Sequence, residues 1–152
     1  MRALLQRVSR AEVRIDAERI AVIGPGLLVL VGIGPADDGA VGVALARKVA
    51  ELRIFEDEHG RINRSLLDVG GEALVVSQFT LFADTRGGRR PGFTGAASPE
   101  VAIPLYEGFA AALEGLGVTV GRGRFGAEME VELVNHGPFT IWLDSEDRGR
   151  AD

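Results

Sequence analysis

No cysteine occurs anywhere in the chain, so disulfides, thiolate metal ligands and a cysteine nucleophile are excluded at the outset. Histidine is almost as scarce, with His59 and His136 as the whole supply. His59 sits in the turn-like stretch EDEHG, where one imidazole among scattered acids does not make a metal site. His136 lies beside a Gly-Pro pair, yet nothing near it in sequence would orient it as a base. There is no GxSxG elbow, no HExxH pair, no GxxxxGKS/T phosphate loop and no GxGxxG between a strand and a helix. Neither a metal nor a cofactor is expected. The longest apolar run, Gly26 to Ile33, is far shorter than the roughly 20 residues a bilayer crossing needs, so it reads as a buried strand and no membrane partner is expected. The N-terminal MRALLQRVSRAEVRI alternates and carries Arg2, Arg7, Arg10 and Arg14 in place of the apolar core and cleavage site of a signal peptide, which points to the cytoplasm.

What is present is ordinary globular material. With 152 residues, 46% of them hydrophobic and 26% charged, the chain is expected to form one domain over residues 1–147, with 148–152 as a fraying tail. A formal charge of −5 argues against the evenly basic surface of a general nucleic-acid binder, and DNA is not expected as a partner. Positive charge is concentrated locally, in DTRGGRRPGF with Arg86, Arg89 and Arg90, and again in GRGRF with Arg122 and Arg124. Taken alone, such runs are solvated loops.

The periodicities predict strands with two helices. Leu4 to Ile15 and Ile20 to Ile23 read as hairpin arms turning near Asp16-Ala17-Glu18, and Gly24-Pro25-Gly26 turns into the strand LLVLVGI. Asp37 or Asp38 can cap a helix running to about Arg53, with Val41, Leu45, Val49 and Leu52 on its buried side. LRIFEDEHGRINRSL turns at Glu58-His59-Gly60, and EALVVSQFTLFA follows as a strongly apolar strand. Ser98-Pro99 opens the second helix, whose stripe is Val101, Leu105, Phe109 and Leu113; Pro104 conflicts with that register, so the regular helix is expected to begin near Ile103. Strands around 118–120 and 129–143 close the sheet.

Two short stretches resist this reading. Ser77, Gln78 and Thr80 punctuate the most apolar strand, and polar groups at a strand end need partners or a ligand. In NHGPFT, Asn135 to Thr140, a Gly-Pro pair interrupts an alternation carried by Val131 and Leu133 before it and by Phe139, Ile141 and Leu143 after it. Proline donates no ladder hydrogen bond and glycine packs no side chain, so the pair weakens the strand that holds it.

SQFTL followed by NHGPFT resembles the paired signature of the D-aminoacyl-tRNA deacylases, which remove D-amino acids mischarged onto tRNA. The similarity runs collinearly through MRALLQRVSRAEV, GLLVLVGI, RIFEDEHGRIN, GGEALVVSQFTLFADT, RRPGF, ASPE and GRFGAEMEVELVNHGPFTIWL, nearly the whole chain. The resemblance implies a single α/β domain of mostly antiparallel, barrel-like β layers with two helices packed on one side, assembled as a homodimer. It implies that the peptide bond joining Gly137 and Pro138 is cis, and that this dipeptide reaches into the active site of the other subunit, where its carbonyls exclude L-side chains. It implies hydrolysis of the ester of D-aminoacyl-tRNA, and of glycyl-tRNA, without an essential side-chain base and with help from the 2′-hydroxyl of the terminal adenosine. On this basis Thr80 and the backbone of Phe79 hold the carbonyl oxygen, while Ser77 and Gln78 lie beside the amino group and the adenosine. Asn135, Phe125, Met129 and Ala97 complete the substrate side, and Arg86, Arg89 and Arg90 contact tRNA. Gly95 stands where relatives often carry a basic residue, and His136 where small polar or acidic residues are common. An apolar core role would account for Phe125 and Met129 almost equally well, and Thr80 as a nucleophile stays open. Two other classes compete with the enzyme: an RNA-binding module that keeps the fold without hydrolysis, and a dimerisation domain in which Gly-Pro is an edge-strand device.

Overall fold

The computed structural model describes residues 1–149, so all but the start of the tail expected to fray lies outside the described residues; 145–149 form a 3-10 turn. Among the described residues, eight strands and three α-helices make a single mixed α/β unit. β1 (Arg2–Ile15) is the spine. It pairs antiparallel with β2 (Glu18–Ile23), β3 (Gly26–Gly32) and β8 (Glu130–Asp144), while β3, β6 (Glu72–Ser77) and β7 (Thr119–Arg122) run parallel to one another. The sheet is mostly antiparallel, as expected, with two parallel pairings that arise because α1 and α3 serve as crossovers returning the chain in the same direction. The sheet curls until β2 lies over β7: a Cβ at Gly121 would stand 3.4 Å from Ala21 and 3.5 Å from Ile23. This gives the nearly closed, barrel-like form.

Two apolar clusters follow from the curl. Outside it, α1 (Gly39–Glu51) and α3 (Pro99–Gly115) cover Leu5, Val29, Val31 and Val75. Inside it, Val8, Val13, Leu28, Leu74 and Val76 pack together. Asp38 caps α1 by accepting from the Val41 N–H at 2.9 Å. The hairpin turn between β1 and β2 places Asp16 and Ala17 at φ of 50° and 65°, the positive values that match strand twist in a two-residue turn.

Four expectations need correction, the first being the stripe of α3, where Val101 is exposed and Ala102 and Tyr106 are buried in place of Val101 and Leu105. A third helix exists, the single turn α2 (Leu66–Val69), closed by a reciprocal capping box between Ser65 and Asp68, too short to show a periodicity. α3 is continuous from Pro99 through Pro104. Burial of Ala102, Tyr106, Phe109, Ala110 and Leu113 along one stripe outweighs the ~3 kcal/mol that an internal proline costs. Finally, the apolar strand stops at Ser77, and Phe79–Phe82 coil into a 3-10 turn. The small hairpin of β4 (Phe55–Glu56) and β5 (Ile62–Arg64) stands apart as its own two-stranded sheet.

Candidate active site

The 3-10 turn forms where β6 runs out of partners. Gln78 still donates to Val31 O at 2.8 Å, but β3 ends at Gly32, and the chain closes on itself through Leu81 N to Gln78 O (3.2 Å) and Ala83 N to Thr80 O (3.0 Å). Gly32 permits this close approach, because a Cβ there would lie 3.0 Å from Gln78 O and 3.1 Å from Leu81 Cβ. Such a turn leaves the N–H groups of its first residues, Phe79 and Thr80, without acceptors inside it. The Thr80 hydroxyl accepts a short hydrogen bond from the Gln78 side-chain amide. With its oxygen engaged as acceptor, the hydroxyl proton is available to donate outward. Gln78 has no basicity with which to take that proton, which disfavours Thr80 as a nucleophile.

Ser77, Gln78 and Phe79 border a cavity of about 300 Å³ together with Phe125, Met129 and Val131. Five residues singled out in the sequence therefore meet in one place. Met129 closes down on the glycine before Arg124: its sulfur would lie 2.9 Å from a Gly123 Cβ and accepts from Arg124 N–H at 3.4 Å. Phe125 leans on buried Tyr106, ring centroids 6.3 Å apart, and the Tyr106 hydroxyl donates to Val75 O at 2.9 Å. Burial pushes the Tyr106 phenol up to about 12. Ala97 stands at the same end of the sheet, its N–H on Ile33 O at 2.8 Å, but does not border the cavity. Arg86, Arg89 and Arg90 occupy an exposed loop closed at its base by Asp84 and Gly92. The Arg86 guanidinium beside Asp84 holds that carboxyl well below the usual carboxylate range.

The second motif lies elsewhere. Opposite β1, the ladder passes from Gln6↔Thr140 to Val8↔Asn135. β1 advances two residues while β8 advances five, so three residues are extra and the His136–Phe139 segment bulges from the edge. Gly137–Pro138 is cis, and Gly137 has φ 138°, a value only glycine adopts readily. Asn135 braces the bulge, accepting from Phe139 N–H at 2.8 Å and donating to the Thr140 hydroxyl at 3.0 Å. Arg7, 5% exposed, fastens it from beneath. Its Nε donates to His136 O at 2.9 Å, its Nη1 to Ile54 O at 2.7 Å, and its guanidinium lies 4.7 Å from the Phe139 ring centroid. The His136 imidazole is on the exposed side and borders a separate cavity of about 460 Å³ with Phe55, Val69 and Glu72.

Within one chain the two motifs do not meet. Val8, the neighbour of the bulge, pairs with Gly26 at the start of β3, whereas Ser77 pairs with Val31 near its end. Those five steps along β3 span roughly 16 Å at about 3.3 Å per residue. Arg7 is the buried residue at the bulge that sequence reasoning passed over. Its one signal was an arginine at an inward position of a strand whose neighbours Leu5, Val8 and Ala11 are all buried.

A profile of the family described as D-Tyr-tRNA(Tyr) deacylase matches residues 4–144. The chain is 62% identical over 145 residues to the D-aminoacyl-tRNA deacylase of Roseiflexus castenholzii, covering 95% of this chain and 92% of that one. It is 55% identical over 144 residues to that of Deinococcus radiodurans, covering 95% and 99%. Among solved structures it is similar to one described as c-Myc DNA unwinding element binding protein, at 39% identity with a TM-score of 0.89, covering 95% of this chain and 98% of that one. A second, described as a probable eukaryotic D-amino acid tRNA deacylase, shares the fold at a TM-score of 0.82 and 18% identity, covering 93% and 97%.

Proposed function

Since the chain belongs to the D-Tyr-tRNA(Tyr) deacylase family and is a hydrolase that deacylates D-aminoacyl-tRNA, we propose that it works as a homodimer in which each active site is built from two subunits. The 3-10 turn at Ser77–Thr80 supplies the chemistry, and the Gly137–Pro138 bulge of the other subunit supplies the chiral filter. The observation that carries this reading is the separation of the two motifs by most of a strand length within one chain. A two-fold axis solves the problem reciprocally, each copy offering its bulge to the other's turn. β8 is suited to such a contact, since among the described residues it pairs with β1 alone, leaving one edge open, and it carries Val134 and Trp142, 51% and 45% exposed.

The terminal adenosine occupies the cavity of Phe125 and Met129, with Ser77 and Gln78 beside it and the substrate amino group, and Ala97 behind. Water attacks the carbonyl carbon of the aminoacyl ester, and the oxygen that becomes an oxyanion is held by the Thr80 hydroxyl and the N–H groups of Phe79 and Thr80. The bond to the ribose oxygen then breaks, that oxygen takes a proton with help from the neighbouring 2′-hydroxyl, and free D-amino acid and tRNA leave. An ester is activated enough to proceed without a strong side-chain base. Main-chain carbonyls of the bulge stand where an L-side chain would project, so discrimination is by exclusion, and glycyl esters, having no side chain, are hydrolysed with the D-series. Arg86, Arg89 and Arg90 meet phosphates of the acceptor end. The need for a ribose diol makes RNA the substrate and DNA not, and a tRNA substrate places the work in the cytoplasm.

D-Tyr-tRNA and L-Tyr-tRNA incubated side by side test the reading. Loss of only the D-ester supports it, binding of both without turnover supports an RNA-binding module, and neither supports a dimerisation domain. Sedimentation that finds a fully active monomer would overturn the composite site while leaving the hydrolysis intact.

A further inference from the structure

The proposed chemistry uses the backbone of Phe79 but not its ring, which is 54% exposed. An aromatic ring open to solvent at the lip of a cavity offers a face on which a base can stack. Phe93 meets it edge to face, centroids 5.0 Å apart and planes at 72°. The two rings make a corner. Phe79 borders the adenosine cavity, and Phe93 stands outside it. Phe93 is carried on the stretch DTRGGRRPGF, whose base is tied by Asp84 N to Gly92 O (2.7 Å) and Gly92 N to Asp84 O (2.9 Å). That stretch holds three arginines against one acid, a net of 3 − 1 = +2, within a chain of net −5. The one acid is committed to Arg86, whose Nε and Nη2 donate to it at 2.9 and 2.8 Å. Arg89 and Arg90 are exposed beside it.

We propose that Phe93, with Arg89 and Arg90, forms a second nucleotide subsite that seats the residue preceding the terminal adenosine at the single-stranded 3′ end of tRNA, its base on the Phe93 ring and its phosphate against the arginines. The inference rests on the adenosine cavity assigned above. Unpaired RNA is held by stacking on aromatic faces and by cations that follow the backbone, and both components are present within one pinned loop. A near-perpendicular corner receives two successive bases splayed from each other, which an unpaired end can do and a duplex cannot. The excess positive charge of the loop matches a polyanion better than it matches a second copy of this acidic chain.

Binding of deacylated trinucleotide CCA and of adenosine 5′-phosphate, followed by NMR titration of the wild type and Phe93→Ala, tests this. CCA is expected to bind the wild type more tightly than adenosine 5′-phosphate. Phe93→Ala is expected to weaken CCA by about 10- to 100-fold, the usual effect of losing one stacked base, and to leave adenosine 5′-phosphate unchanged. Phe93→Trp, which keeps a stacking face, retains CCA binding and guards against a fold effect. Equal affinity of the wild type for both ligands, equal weakening of both in Phe93→Ala, or no weakening of either overturns the subsite. Hydrolysis is a separate readout. A protein that binds CCA through Phe93 but hydrolyses no ester fails only the proposed reaction, and one that hydrolyses the D-ester while binding both ligands alike fails only the subsite.

Discussion

Replacing Arg7 with methionine isolates what the buried guanidinium does for the Gly-Pro bulge. Methionine keeps an unbranched apolar stem of similar reach and removes the donors to His136 O and Ile54 O and the contact with the Phe139 ring. Hydrogen bonds from a charged donor contribute about 1.5–3 kcal/mol each. The Ile54 carbonyl belongs to a buried residue and stands near the upper figure, whereas His136 is exposed, and water can replace the donor to its carbonyl. The ring contact adds about 1–2 kcal/mol, since the guanidinium is desolvated. Against these, a methionine carries none of the desolvation cost of several kcal/mol that a buried cation bears. The expected net loss is about 1–3 kcal/mol, read as a lower urea midpoint at unchanged slope. Selectivity should respond more sharply than stability, because the fastening acts at the bulge itself. Every ~1.4 kcal/mol of anchoring lost lets the displaced bulge compete tenfold better, so the ratio of L- to D-Tyr-tRNA hydrolysis should rise by roughly that factor or more. Arg7→Lys, able to reach one of the two carbonyls, should fall between. A folded dimeric Arg7→Met with wild-type stability and an unchanged L-to-D ratio would refute the anchoring role.

Thr80→Ala should lower turnover of D-Tyr-tRNA by about 10- to 1000-fold with the melting temperature preserved, since Thr80 is exposed; full activity would leave the oxyanion to the backbone alone. Tyr106 is the single tyrosine, so phenolate absorbance reads it directly. Its pKa of about 12 in the folded chain lies above the ordinary value of about 10, so the folded form holds the proton more tightly. The associated stability is complete below about pH 10 and is lost as pH rises from there towards 12, and Tyr106→Phe should abolish that step. An absorbance midpoint near 10 in the native protein would contradict the burial argument. Neutralising Arg86, Arg89 and Arg90 together should weaken tRNA binding uniformly across tRNA species and flatten the log–log salt dependence by about 0.7 for each lost phosphate contact; an unchanged slope would remove the loop from the interface.

Much of this was legible locally. The β1–β2 turn follows from Asp16-Ala17, the start of α1 from the Asp38 cap, and the start of α3 from Ser98-Pro99, because each depends on residues within one turn of itself. SQFTL stood out because polar groups punctuate an apolar strand, and NHGPFT because a Gly-Pro pair breaks a strand alternation that resumes beyond it. Phe125 and Met129, open between core and site in the sequence, border the same cavity as Gln78. The sequence alone thus determined most of the strands, the two long helices in outline, the unusual stretches and, through collinear resemblance, the family.

Other features waited for the tertiary structure. That EALVVSQFTLFA ends as a strand at Ser77 depends on β3 stopping at Gly32, forty-five residues earlier (77 − 32 = 45). That α3 continues through Pro104 depends on a core gathered from β3, β6 and α1. Arg7 looked like one of several arginines arguing against a leader peptide, and it became the fastening of the bulge only when β1 lay against β8, since its acceptors sit 47 and 129 residues away. The distance between the two motifs, which makes a second subunit part of the proposal, follows from strand order and register alone. Local patterns are set by backbone sterics and nearest neighbours, whereas register and strand order are settled by contacts between residues remote in the chain, and no short stretch of sequence contains them.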